Sequence, residues 1–168
     1  MVILVDQQDN EIGIMEKLKA HEYGLLHRAF SVFIFNAKGE MLLQKRAANK
    51  YHSPNLWTNA CCSHPKPNEE LQTACKRRLI EEIGIQTDQD LDHIGYLLYK
   101  APFENGLTEH EYDHILTLHT DAPPVLNPEE VSEFRYVSLN AIKKEIKASP
   151  EQFTVWFKLI LEKDFFKP

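Results

Sequence analysis

The segment 59–65, with the sequence NACCSHP, contains a thiol two residues before an imidazole. Side chains alternate along an extended chain, so we expect Cys62 and His64 on one side and Cys61 and Ser63 on the other. A thiol beside an imidazole can be a nucleophile with its base, two metal ligands, or a proton donor next to a metal. The residues alone single out Cys62 and leave these three alternatives open.

A second group of charged residues lies near the end of a helical pattern. Arg77 and Glu81 are four residues apart, as are Arg78 and Glu82, so each pair lies one helical turn apart. The group could form two surface ion pairs. It could also place a carboxylate on a divalent cation and a guanidinium on a phosphate, since Mg²⁺ is usually held by one or two carboxylates and substrate phosphates.

Hydrophobic periodicity predicts the elements that position these groups. Apolar residues recur at three- and four-residue intervals from Glu69 to Glu82, and Gly84 follows where a helix commonly stops. The remaining patterns indicate an α+β class, with a turn at 36–40 joining two strands. We predict strands over 2–5, 29–35, 41–46, 94–100, 112–120 and 133–137, and helices over 69–82, 141–147 and 151–164.

Composition sets bounds on the class of protein. The 168 residues, 43% of them hydrophobic, suffice for one domain spanning 1–168. A formal charge of -6 argues against a nucleic-acid partner, and no apolar run reaches the ~20 residues that span a bilayer. Three cysteines, two of them adjacent, do not indicate a disulfide framework, and no signal peptide is visible, so we expect a cytoplasmic protein.

Residues 77–85, with the sequence RRLIEEIGI, resemble a Nudix box, the loop-helix-loop segment that handles metal-bound diphosphates. A hydrolytic box would have glycine at position 63 and glutamate at position 78, where this chain has Ser63 and Arg78. The change at position 78 removes a ligand for the Mg²⁺ ions that activate water and adds a phosphate contact. The altered box therefore favours diphosphate binding over hydrolysis.

Four separated motifs, in order, are similar to type I isopentenyl-diphosphate isomerases. They are GLLHRAFS at 24–31, WTNACCSHP at 57–65, the altered box, and EHEYD at 109–113. The similarity covers nearly the whole chain. It implies a Nudix-type fold of mixed β-sheets flanked by helices, and a reversible proton shift that interconverts isopentenyl and dimethylallyl diphosphate.

The resemblance also implies a site for Mn²⁺ or Zn²⁺ built from three imidazoles and two carboxylates, a mixed nitrogen and oxygen set. Alternation places Glu109 and Glu111 on one face of an extended segment, which supports this reading. The implied ligands are His21, His27, His64, Glu109 and Glu111. The other histidines have no such match and are expected to be surface or structural residues: His52, His93, His110, His114 and His119.

The diphosphate would be bound by cations and by Mg²⁺. The resemblance implies that Glu82 holds this Mg²⁺, with Glu81 in support. Four cations converging on one anion would suit an otherwise acidic chain. The implied diphosphate contacts are Lys17, Arg46, Lys50 and Arg78.

The implied catalytic pair is Cys62 and Glu111, one on each face of the hydrocarbon. Tyr99 would donate a hydrogen bond near Glu111, and Trp156 would offer its indole face to a carbocation. Cys61 and Cys75 are expected to be structural.

Two other functions stay open at this point. One is a Nudix hydrolase acting on a prenyl or nucleoside diphosphate, and the other is a regulatory domain that binds a metal or a diphosphate. The expected partner is a small prenyl diphosphate, with no nucleic acid and no membrane, and a monomer is slightly favoured.

Overall fold

A mixed β-sheet runs through the centre of the molecule in the computed structural model, which describes residues 1–166. Its strands are β1 Val2–Val5, β2 Glu11–Met15, β3 His27–Phe35, β4 Met41–Arg46, β5 Trp57–Thr58, β6 Cys61–Ser63, β7 Asp92–Pro102, β8 Thr108–His119 and β9 Val131–Val137. The helices are α1 Lys17–Tyr23, α2 Leu71–Ile83, α3 Leu139–Ala148 and α4 Val155–Leu161, with a 3₁₀ turn at Pro150–Gln152. The predicted class, mixed sheet flanked by helices, is confirmed.

Strand β3 is the centre of the sheet. It runs parallel to β8, from the pair His27↔Glu111 to Phe35↔His119, and antiparallel to β1 and β6. Strands β3 and β4 share only the pair Phe35↔Met41 and then diverge. The cysteine segment bridges the gap between them, because β5 pairs with β4 and β6 pairs with β3.

Alternation along β3 supplies a hydrophobic core on each face of the sheet. Phe30 and Val32 pack in one buried cluster with Leu79 of α2. Phe33 points to the opposite face, where it packs with Phe157 of α4. Both faces are covered by helices, which is why β3 is apolar at consecutive positions rather than at every second one.

The prediction of one helix over 151–164 is wrong. The backbone of Phe153 forms an isolated bridge with Trp57, and the N–H of Thr154 donates to the carbonyl of Trp57 at 3.0 Å. These contacts with β5 require extended backbone, so the chain makes a 3₁₀ turn before this point and begins α4 at Val155. Pairing with β5 therefore makes the backbone extended at Phe153 and Thr154, where the sequence pattern is helical.

Strand β2 and helix α1 are absent from the sequence prediction. Helix α1 has only seven residues, too few to show a periodic apolar face, but its ends carry clear signals. The Glu16 carboxylate accepts from the N–H groups of Leu18 and Lys19, and Gly24 ends the helix at a φ of 60°. Within residues 1–166, no helix combines the length and apolar character that crossing a membrane requires.

Candidate active site

The predicted catalytic and diphosphate-binding residues lie around one cavity at the end of the sheet where β3 and β4 diverge. Its wall is mostly polar, but three buried aromatic side chains, Phe30, Tyr99 and Trp156, also contribute. The lining includes Cys62, Tyr99, Glu111 and Trp156, the cations Lys17, Arg46, Lys50 and Arg78, and also His64, Glu82 and Glu109. The thiol and the carboxylate of the expected catalytic pair thus border the same cavity.

The five predicted metal ligands converge beside this cavity. Each offers one ligand atom, and these atoms all lie within 4.8 Å of one another. The parallel pairing of β3 with β8 brings His27 next to Glu111, while His64 follows directly after β6. The remaining ligands are His21 of α1 and Glu109 of β8, so the group joins four separate elements.

Two of the imidazoles are oriented as metal ligands commonly are. The Nδ1 atom of His21 lies 2.6 Å from the carbonyl of Lys17, and that of His27 lies 2.8 Å from the carbonyl of Leu25. A carbonyl only accepts, so each Nδ1 carries the proton, and each Nε2 faces a carboxylate of the group: that of His21 lies 3.0 Å from Glu109 and that of His27 lies 3.7 Å from Glu111. The Nε2 of His27 is buried without a hydrogen-bond partner among the described residues. The group therefore fits a divalent metal.

The protonation of His64 agrees with this fit. Burial and the nearby charge of Lys17 lower its pKa to about 3, so the imidazole is neutral near pH 7, as a ligand must be. Its Nε2 lies 3.0 Å from Glu111 rather than against a sulfur. Cys61 and Cys62 pack on opposite faces of the sheet, as alternation predicts, but Ser63 borders the same cavity as Cys62 and His64. No hydrogen bond joins Cys62 to His64 within the described part of the chain.

The sulfur of Cys62 instead makes its shortest contacts with two other side chains. The indole N–H of Trp156 donates to Sγ at 2.9 Å, and the thiol donates to Oδ1 of Asn59 at 2.9 Å. Burial, together with the charge of Asp113, raises the pKa of Cys62 to about 12. The thiol consequently holds its proton at neutral pH.

Glu111 has the opposite protonation state. Burial works to raise its pKa, but the imidazoles of His27 and His64 hold it below its ordinary value. The hydroxyl of Tyr99 donates to its Oε2 at 2.6 Å, and burial keeps the pKa of that phenol well above its ordinary value. The thiol thus carries a proton, whereas the carboxylate is ionised.

The cationic side of the cavity already contains an anion of the protein itself. Glu130 contacts Lys50 and lies 3.2 Å from the guanidinium of Arg78. The guanidinium of Arg46 lies over the ring of Trp156, 5.3 Å from its centroid. A cation of the protein itself thus already lies over the indole of Trp156.

The carboxylate of Glu82 is buried and engaged from several sides. Arg78 donates to its Oε1 at 2.6 Å, Gln44 donates to its Oε2 at 2.8 Å, and the thiol of Cys61 lies 3.4 Å from Oε1. Glu81, by contrast, is largely exposed and pairs with Arg77 and Arg78. The two glutamates of the box therefore differ in setting, and only Glu82 borders the cavity.

Sequence reasoning missed several residues of this site. His52 was expected to be a surface or structural residue, but it is buried and its Nε2 lies 2.9 Å from Glu109. Asn59 lies within the cysteine motif, and its amide donates to the carbonyls of Val32 and Cys61, which fixes Oδ1 toward the thiol. A buried polar residue inside the motif was the available signal for Asn59, whereas nothing in the loop sequence marked His52.

Asp113, the last residue of the motif EHEYD, is another buried carboxyl group. The sequence predicted no role for it. It is 1% exposed, and its Oδ1 has no hydrogen-bond partner among the described residues. Its Oδ2 lies 2.8 Å from the hydroxyl of Ser31, which itself lies 3.6 Å from the sulfur of Cys62. Burial and the charge of Glu111 raise the pKa of Asp113 well above its ordinary value.

Comparisons with known proteins show the family to which the chain belongs. A family model described as NUDIX domain matches residues 25–157. The chain is 51% identical over 168 residues to a protein of Aliivibrio fischeri (strain MJ11) named isopentenyl-diphosphate Delta-isomerase, covering 96% of this chain and 93% of that protein. It is 44% identical over 162 residues to isopentenyl-diphosphate Delta-isomerase 2 of Aromatoleum aromaticum, covering 96% and 85%.

Solved structures show the same architecture at lower identity. A crystal structure of a Deinococcus radiodurans protein aligns with a TM-score of 0.78 at 20% identity, covering 96% of this chain and 97% of that one. The MutT protein of Methanosarcina mazei aligns with a TM-score of 0.67 at 22% identity, covering 82% and 91%. At these identities the likeness concerns the fold alone.

Proposed function

Because the chain belongs to the isopentenyl-diphosphate Delta-isomerase family of NUDIX proteins, we propose that its cavity carries the reversible interconversion of isopentenyl diphosphate and dimethylallyl diphosphate. The observation that carries this assignment to particular residues is that the thiol of Cys62 and the carboxylate of Glu111 border the same cavity. Of the two groups, one is protonated while the other is ionised.

The reaction adds one proton to the hydrocarbon of the substrate and removes another from it. Protonation of the terminal alkene carbon uses the π electrons to form a C–H bond and leaves a tertiary cation on the adjacent carbon. Loss of a proton from the next carbon returns an electron pair as the new double bond. Two groups on opposite faces of the hydrocarbon are needed, and Cys62 and Glu111 are the proposed pair.

The remaining residues orient this pair and protect the cation. Tyr99 donates to Glu111 and fixes the direction of its carboxylate, while Trp156 holds the sulfur of Cys62 through its indole N–H. The indole face also offers negative electrostatic potential without a nucleophile that would trap the intermediate. An alkene is a poor base, so exclusion of water by these buried walls favours proton transfer to carbon.

Two metal sites belong to this proposal. The group of His21, His27, His64, Glu109 and Glu111 is the proposed site for Mn²⁺ or Zn²⁺, and Glu82 is the proposed ligand for a Mg²⁺ carried by the diphosphate. A divalent cation at the first site supplies positive charge next to Glu111 and a cation at the second neutralises the diphosphate. Lys17, Arg46, Lys50 and Arg78 are the proposed direct contacts of the diphosphate.

A hydrolase is the less supported alternative. Position 78, where a hydrolytic box would carry a glutamate, is occupied by Arg78, whose guanidinium binds Glu82 and Glu130. This cation leaves fewer carboxylates for the metal cluster that would activate water. Release of inorganic phosphate or of a monophosphate from prenyl or nucleoside diphosphates would favour hydrolysis.

Incubation with isopentenyl diphosphate in heavy water, with Mg²⁺ and Mn²⁺ present, tests the assignment. We expect NMR to show deuterium in a methyl group of dimethylallyl diphosphate, because the added proton comes from a group that exchanges with solvent. Cys62→Ala and Glu111→Gln should each lower turnover by at least about 1,000-fold, since each removes one of the two proton carriers, while diphosphate affinity stays within about threefold. Normal turnover in either variant would contradict the role given to that residue.

A further inference from the structure

His52 lies in the loop 47–56, between the metal-binding group and the aromatic wall of the cavity. Its side chain is 6% exposed, and its Nε2 lies 2.9 Å from Oε1 of Glu109. The ring nitrogens of His52 are not among the five clustered ligand atoms found within residues 1–166. His52 therefore contacts a proposed ligand without belonging to the ligand set.

The two oxygens of Glu109 are divided between two histidines. Its Oε2 lies 3.0 Å from Nε2 of His21, which is a member of the cluster, and its Oε1 faces His52. An ionised carboxylate only accepts hydrogen bonds, so a hydrogen bond across this 2.9 Å contact has the N–H of His52 as its donor. The contact thus occupies the oxygen of Glu109 that His21 does not use.

The ring of His52 is held in place by its neighbours. It stacks on Phe103 with the ring centroids 5.4 Å apart and an interplanar angle of 13°. The amide of Asn105 donates to the carbonyl of Tyr51 at 3.1 Å, and Arg46 donates to the carbonyl of His52 at 3.2 Å. The loop is thereby tied to the β7–β8 hairpin, which begins the strand that carries Glu109.

We infer that His52 is a positioning residue for the metal site. Its Nε2–H donates to Oε1 of Glu109, and this contact determines which oxygen of Glu109 is left for the cation. This inference rests on the proposed metal site and adds a residue that belongs neither to its ligands nor to the catalytic pair. Hydrogen-bond partners of metal ligands hold the ligand's orientation, and their loss typically costs about 10- to 100-fold in metal affinity.

Two substitutions separate the donated hydrogen bond from the packing of the ring. His52→Phe keeps an aromatic ring against Phe103 but removes the N–H donor, whereas His52→Gln retains an amide N–H near the position of Nε2. Metal-free protein is titrated with Mn²⁺, and free Mn²⁺ is followed by electron paramagnetic resonance. We expect H52F to lower the affinity by about 10- to 100-fold and H52Q to stay within about threefold of the unsubstituted chain.

Tyr51→Phe is the matched control, because it alters the same loop and leaves the contact with Glu109 in place. Its Mn²⁺ affinity should be unchanged, and far-ultraviolet circular dichroism should show that all variants are folded. Equal Mn²⁺ affinity for folded H52F and the unsubstituted chain would overturn the inference, as would an equal loss in H52Q and H52F. If H52F does not fold, His52→Leu replaces it, with the same two outcomes.

The readout also distinguishes this inference from the proposed reaction. Loss of Mn²⁺ affinity in H52F together with an absence of isomerisation in the unsubstituted chain would support the role of His52 and contradict the proposed function. An unsubstituted chain that binds no Mn²⁺ would overturn the metal site and this inference together.

Discussion

The reactive side chains of the cavity take their directions from the strands that carry them. Glu109 and Glu111 point to one side of β8 because side chains alternate along a strand, and the same rule separates Cys62 from Cys61. His52 could not be found in this way, because its loop has no repeat and its partner Glu109 lies 57 positions later in the chain. Contacts between a loop and a distant strand depend on the fold, which local sequence does not specify.

The buried carboxyl of Asp113 predicts how stability depends on pH. Its pKa is raised in the folded protein, so the folded state binds a proton that the unfolded state releases above pH about 4. Its contribution to the free energy of unfolding is therefore fully present at low pH and falls by about 1.4 kcal/mol per pH unit up to the folded pKa. Asp113→Asn should remove this decline, so its stability relative to the unsubstituted chain should rise with pH.

Urea unfolding midpoints of both proteins between pH 4.5 and 8 measure this effect. Asp88→Asn serves as the control, because it makes the same chemical change at an exposed position. Parallel profiles for D113N and the unsubstituted chain would show that Asp113 titrates normally in the folded state.

Whole elements were predicted well when they were long and periodic. The helix expected over 69–82 is α2 at Leu71–Ile83, and the strand expected over 41–46 is β4 at Met41–Arg46. Elements of two to seven residues, such as α1 and β6, depend on pairing and packing partners that are distant in sequence. The helix predicted over 151–164 is interrupted for the same reason, because the backbone of Phe153 forms a bridge with Trp57 of β5.

The end of α2 predicts the outcome of a glycine substitution. Gly84 has a φ of 64°, and a Cβ atom there would lie 2.8 Å from the Cβ and the carbonyl oxygen of Val125. Gly84→Ala should therefore destabilise the protein both through its backbone conformation and through this close contact, by about 2–4 kcal/mol in total. Urea unfolding measures the difference.

Gly39→Ala separates the two effects. Gly39 has a similar φ of 73°, but no atom lies within 4 Å of an added Cβ. It should lose only the conformational part, about 1–2 kcal/mol. Equal losses at the two glycines would mean that the segment around Val125 moves freely and does not restrain α2.

At the scale of the whole molecule, the site is formed by elements that lie far apart in the sequence. The proposed metal ligands extend from His21 to Glu111 and come from α1, β3, the segment after β6, and β8. The order of motifs predicted which residues meet, but the divergence of β3 from β4, which opens the cavity, was visible only in the sheet pairing. The predicted monomeric state and cytoplasmic location stay predictions.

Removal of a metal from the proposed site should therefore affect stability as well as activity. A cation that binds only the folded state stabilises it by about 4 kcal/mol at a thousand times its dissociation constant. Dialysis against a chelator should abolish isomerisation and lower the melting temperature by on the order of 10 °C, and Mn²⁺ should restore both. Limited proteolysis should cut earliest near α1, because His21 is the only proposed metal ligand on that helix. A melting temperature that is unchanged by chelation would contradict this linkage between α1 and the strands.

The contacts of Glu130 with Lys50 and Arg78 have a consequence for which anions the cavity retains. An incoming ligand does not meet bare cations, because it must take the place of a carboxylate that already neutralises them. A singly charged ion such as chloride or acetate gains little from this exchange, whereas a diphosphate brings several negative charges and can bring its own Mg²⁺. The carboxylate of Glu130 thus lowers the affinity of the cavity for weakly charged anions more than for a diphosphate.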